Sequence, residues 1–86
     1  MKPEVLAYYA RCRDEIFSEF VDILKNMRED SVICLKAYPH QKDKWGKCTR
    51  LGSEWTVSEH DLKTDNVLNI EKYHNVEDIL DMWTID

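Results

Sequence analysis

The sequence predicts an α+β fold: a long N-terminal amphipathic helix packed on a three-stranded antiparallel meander, then a short C-terminal helix, in the order αβββα. Three observations carry that expectation. Apolar residues recur at helical spacing from Leu6 to Met27. Two stretches between Ser31 and Val57 alternate with the period of a strand. Asn75 stands as a capping residue before a last short apolar run. With 86 residues the chain is read as one small α+β domain, 1–86, with a thin stability margin.

Pro3 suits the first turn of a helix, where its missing N–H costs nothing, and Glu4 complements the helix dipole there. Leu6, Tyr9, Ala10, Ile16, Phe17, Phe20, Ile23, Leu24 and Met27 form the apolar stripe of one helix of about seven turns. Arg11, Asp14, Glu15, Ser18, Asp22, Lys25 and Glu29 take the other face. Arg13 interrupts the stripe. Either its stem packs while the guanidinium reaches water, or it presents a cation to a carboxylate or phosphate. The heptad spacing of Leu6, Tyr9, Arg13, Ile16, Phe20, Ile23 and Met27 also admits a helix-mediated homodimer.

Glu29-Asp30-Ser31 turns the chain. Strands are expected at Ser31–Tyr38 and Cys48–Val57, joined by a turn-like Pro39–Lys47 in which Gly46 supplies a positive φ. Alternation puts Ile33, Leu35, Leu51, Trp55 and Val57 under the helix. It leaves Cys34, Lys36, Tyr38, Cys48 and Arg50 on an open face. A register slip of one residue would exchange the two faces. Ser58 to Asp65 reads as a loop or short helical turn. Asn66–Tyr73 is the third strand, with Leu68 and Ile70 pointing inward. The last helix is Val76 to Trp83, with Glu77 and Asp78 in its first turn and Val76, Ile79, Leu80 and Trp83 on its apolar side.

The charge is unevenly spread. The chain carries a net charge of −5, yet Lys36, Lys42, Lys44, Lys47 and Arg50 stand against Asp43 alone in one hairpin. The tail is the reverse: Asp65, Glu71, Glu77, Asp78, Asp81 and Asp86 stand against Lys72. No apolar run nears the ~20 residues of a membrane span, and no signal-peptide layout opens the chain. Cys12, Cys34 and Cys48 read as reduced thiols, with the cytoplasm as the default location.

Motifs for chemistry are missing. Cys34, His40, Cys48 and His60 are competent zinc ligands, but they lack the close ligand pairs that zinc sites use. Cys48 beside Lys47 and Arg50, with His40, His60 or His74 as base, is no recognisable nucleophile arrangement. Adjacent acids such as Asp14/Glu15, Glu29/Asp30 and Glu77/Asp78 suit solvated helix faces. Two glycines, Gly46 and Gly52, make no phosphate-cradling loop. The expectation is a non-enzyme without cofactor or metal.

Two functional expectations remain. The first is a small acidic protein that inhibits or modulates a protein partner with a basic surface, such as a nucleic-acid enzyme. Inhibitors, antitoxins, immunity proteins and viral modulators share this physical profile. Its interface would use Tyr73, Glu77, Asp78, Asp81, Trp83 and Asp86, with Tyr73 and Trp83 as anchors. The second is single-stranded RNA binding through Arg13, Lys36, Tyr38, Lys42, Lys44, Trp45, Lys47 and Arg50, where cations flank stacking groups.

Overall fold

A computed structural model describes residues 2–41 and 43–85. The described residues form an α+β fold, with three helices and an antiparallel sheet of five strands among them. Lys42 and Asp86, both expected at a binding surface, lie outside the described residues.

Pro3 opens α1 (Pro3–Ala10) as expected. The single long helix does not form. Residues 11–15 make tight turns, with Arg11 N–H donating to the Tyr8 carbonyl and Ile16 N–H to that of Arg13, each at 3.1 Å. The chain then enters α2 (Ile16–Lys25). Aromatic packing explains the break. In one continuous helix Tyr9 and Phe17 would be displaced by about 12 Å along the axis. Here their ring centroids are 5.1 Å apart, and Tyr9 also meets Phe20 and Tyr38 edge-on. Arg13 lies in this break. It is exposed, and its guanidinium pairs with Glu19 at 2.6 Å. The stripe read as a dimer seam is therefore divided between two helices: Met27, just past α2, goes to the core, while Leu6 and Ile23 remain exposed.

The sheet has the order β4-β3-β2-β1-β5. Its strands are β1 (Ile33–Ala37), β2 (Lys44–Leu51), β3 (Glu54–Asp61), β4 (Val67–Tyr73) and β5 (Trp83–Ile85). The stretch expected as one strand, Cys48–Val57, is a hairpin turning at Gly52, whose φ is +60°. That turn corrects the face assignment. Leu51 pairs with Glu54 and Cys48 with Val57, so Cys48 and Arg50 share a face with Trp55 and Val57. Leu51 is left exposed at the hairpin end. Gly46 is no turn residue: it sits inside β2, opposite Leu35 and Glu59. Ser58 to Asp61, expected in a loop or short helical turn, completes β3.

α2 and α3 (Val76–Met82) pack against each other, with their buried residues in one core with the sheet. The core holds Leu24, Leu35, Cys48, Trp55, Val57, Val76, Ile79, Leu80 and Trp83. Asn75 caps α3, its Oδ1 accepting from the Glu77 N–H at 2.9 Å. Sheet side chains satisfy the free carbonyls at the end of α2. The Trp55 indole N–H donates to the Leu24 carbonyl at 2.9 Å, and Arg50 Nη1 donates to those of Lys25 and Met27 at 2.8 and 3.0 Å. Trp83, expected as the last helical residue, instead starts β5, which pairs with β1. The expected meander thus becomes five strands: its second strand divides into the β2–β3 hairpin, and β5 is added beside β1. β4, expected to point Leu68 and Ile70 inward, is an outer strand that leaves both exposed.

Candidate functional site

On the side of the sheet that faces the helices, β3 brings Val57 and Glu59 beside Asn69, Glu71 and Tyr73 of β4. Met82 and Trp83, where α3 gives way to β5, complete the wall of a cavity of about 190 Å³. It has room for one long side chain but is smaller than the ~300 Å³ that a drug-sized ligand needs. Its chemistry is aromatic and acidic. Burial pushes the Tyr73 phenol up from its ordinary value, and the Glu71, Glu59 and Asp78 carboxylates push the same way. Glu71 accepts from Asn69 Nδ2 at 3.0 Å. Among the described residues it has no basic partner, and neither has Asp78.

This wall already holds one cation. The Lys44 ammonium lies 2.9 Å from a Glu59 oxygen and 5.0 Å from the centroid of a Trp83 ring. Carboxylate and aromatic face together favour an ammonium or guanidinium group. Gly46 makes the arrangement sterically feasible. A Cβ at that position would stand 3.2 Å from Leu35 Cβ and 3.4 Å from the Trp83 ring.

The residues expected at a protein interface divide. Tyr73 is half-buried in the cavity wall, Glu77 and Asp78 are exposed on the first turn of α3, and Asp81 is partly buried. Trp83 is only 3% exposed, so it serves as a wall and not as a protruding anchor. Asp86 is not described. Glu71 was marked in the sequence only as one of the acids of the tail, and Glu59 not at all. Had the alternation of Trp55 and Val57 been extended by two residues, it would have placed Glu59 on the covered face.

The residues expected to hold RNA scatter. Tyr38 is 1% exposed. Its hydroxyl donates to the Leu80 carbonyl and therefore accepts the proton of Tyr9, whose oxygen is 2.9 Å away. Arg50 is spent on helix carbonyls, Lys44 on Glu59 and Arg13 on Glu19. Lys36, Trp45 and Lys47 remain on the open face. There Trp45 stacks on His60 at 4.4 Å, with the Lys47 ammonium 5.8 Å from a Trp45 ring centroid. The Trp45 indole N–H donates to an Asp65 carboxylate at 3.0 Å, which sets a negative charge beside the stack. A wider hollow of about 560 Å³ near Lys36, Pro39, Trp45 and Leu62 has mostly apolar walls, with Asp43 and Lys44 also at its lining.

Cys34 and Cys48 fall on opposite faces of the sheet, Cys34 pairing with Lys47 and Ile33 with Cys48. Burial pushes the Cys48 thiol up to about 11. That favours the neutral thiol over a thiolate. Among the described residues, no three of His, Cys, Asp and Glu are placed to hold a metal ion. No helix among them is long and apolar enough to cross a membrane. No protein-family model, curated protein or solved structure matches this chain.

Proposed function

We propose that the chain is a non-enzymatic binding protein that occupies a basic surface of another protein. It does so by seating a lysine or arginine side chain of that partner among Glu59, Glu71, Tyr73 and Trp83. One observation carries the reading: Lys44 already lies against Glu59 and the Trp83 ring, while Glu71 and Asp78, whose charges both act on Tyr73, have no cation among the described residues. The exposed Glu77 and Asp78 extend the negative field outward and would steer a basic partner to the site. Occupying the basic surface of an enzyme inhibits or modulates it, which is the activity proposed here.

The test is capture from native lysate after ribonuclease, comparing the wild type with a Glu71→Gln/Asp78→Asn variant. A protein retained by the wild type and lost by the variant supports the reading. Equal recovery by both removes the cavity from consideration.

Lys36, Trp45 and Lys47 beside the Trp45–His60 stack motivate a second reading, contact with single-stranded RNA through the open face. Asp65 at the Trp45 indole weighs against it, since a phosphate there would meet a carboxylate. Recovery that depends on RNA and falls with Lys36→Ala/Lys47→Ala would favour this second reading.

A further inference from the structure

We infer that the free edge of β4 takes an extended segment of the basic partner as an added strand, with cationic side chains on the cavity side and apolar side chains on the open side. This rests on the cation-seating reading of the cavity.

The two edges of the sheet differ. β5 is a three-residue strand whose Trp83 and Thr84 are buried. β4 has seven residues, all exposed except Tyr73, and among the described residues no strand pairs with its outer side. Proteins usually blunt such an edge with proline, inward-pointing charge, or a bulge. β4 has no proline, and its bulge falls at Leu68, near its start, leaving Asn69 to Tyr73 in regular register with β3. Its charges are Glu71 on the cavity side, which disfavours an uncharged or acidic neighbour but suits a cationic one, and Lys72 on the open side, which is paired with Glu54. Its outer N–H and C=O groups are available to pair.

The faces of β4 then specify the guest. Asn69, Glu71 and Tyr73 look into the cavity. Ile70 and Val67 pair with Ser58 and His60 on the open side and are 59% and 56% exposed. Side chains of an added strand follow the same alternation, so successive residues meet Glu71 and Ile70 in turn. The matching segment alternates basic with apolar residues. Charge also selects such a partner over a second copy of this chain. Another β4 would bring a second Glu71 beside a wall that already carries Glu59 and Glu71.

The probe is a capped heptapeptide, Val-Arg-Val-Arg-Val-Arg-Val, set against a block peptide of the same composition, Arg-Arg-Arg-Val-Val-Val-Val. Affinity is read by fluorescence anisotropy and edge pairing by amide hydrogen exchange across β4. The expected result is binding of the alternating peptide about tenfold tighter than the block peptide, the worth of a few added hydrogen bonds. Slowed exchange between Asn69 and Tyr73 should accompany it, with weaker binding in Ile70→Lys. Exchange on the wild type needs no variant to fold. Equal affinity for both peptides without slowed exchange, lowered by Glu71→Gln, overturns edge pairing and leaves the cavity reading standing. Slowed exchange that ignores Glu71→Gln supports edge pairing and overturns the cavity reading. Exchange that slows with protein concentration alone overturns the proposal, since the occupant is then a second copy.

Discussion

The Lys44 ammonium rests 5.0 Å from the centroid of a Trp83 ring, with one Glu59 oxygen 2.9 Å away. Both charged side chains are about three-quarters covered, so this pair is shielded from water more than the exposed Arg13–Glu19 and Arg28–Asp30 pairs. Replacing Lys44 with methionine keeps the stem over the ring and releases Glu59. Stability should fall by about 1 kcal/mol. The cavity's affinity for an arginine side chain should rise about fivefold, because Glu59 becomes available to the guest. Urea denaturation reads the first effect and titration with a capped arginine the second. Unchanged affinity would separate Glu59 from the site.

Gly46 and Gly52 are required for different reasons. A Cβ at Gly46 meets Leu35 and the Trp83 ring, so Gly46→Ala should cost about 1–3 kcal/mol through crowding and should also narrow the cavity. At Gly52 nothing crowds a new Cβ, but φ is +60°. Gly52→Ala should cost about 1 kcal/mol and leave cation binding alone. Urea midpoints and arginine titration on both variants distinguish crowding from backbone strain.

These two glycines also show what the sequence could convey. α3 with its Asn75 cap, the positions of β1 and β4, and the α+β class were legible because capping and alternation are local signals. The Gly52 turn was missed because residues 48–57 alternate acceptably as one strand. Only pairing of Cys48 with Val57 reveals that the faces exchange there. The break between α1 and α2 was hidden for a similar reason: what stabilises it is Tyr9 against Phe17, Phe20 and Tyr38, contacts that no helical period displays. Tyr73 and the acids of the tail were legible as candidates. Glu59 was not, because it reaches the cavity through a strand whose expected end is Val57.

Arg50 looked like part of a basic surface and is instead a clamp on α2 and the Gly52 turn. Its guanidinium donates to the carbonyls of Lys25, Met27 and Gly52. Arg50→Ala should destabilise the fold by about 2 kcal/mol. Lys47→Ala, whose side chain is exposed, should change stability by less than about 0.5 kcal/mol. Thermal and urea unfolding of the two variants checks the contrast. Equal effects would refute the clamp.

Cys48 gives a pH dependence. Its thiol is held up to about 11, against an ordinary value of 9.0, by burial. Between those values the unfolded chain gives up a proton that the folded chain keeps, so rising pH favours unfolding. The urea midpoint should fall from about pH 9 to 11, and less so in Cys48→Ala. The raised phenols of Tyr9, Tyr38 and Tyr73 act in the same direction above their ordinary value of 10.0. Thiol reagents at neutral pH should label the exposed Cys34 promptly and Cys48 only on unfolding. Prompt labelling of Cys48 in the folded protein would contradict its burial.

The cavity is tested most directly by titrating ¹⁵N-labelled protein with N-acetyl-arginine amide while following the indole resonance of Trp83 and the amides of Glu71 and Tyr73. Saturable shifts at these groups, lost in Glu71→Gln, are the predicted result. Resonances that stay fixed at Trp83 and Tyr73, or shifts that survive Glu71→Gln unchanged, would contradict the claim that this wall of carboxylates and aromatic rings receives a partner's cation.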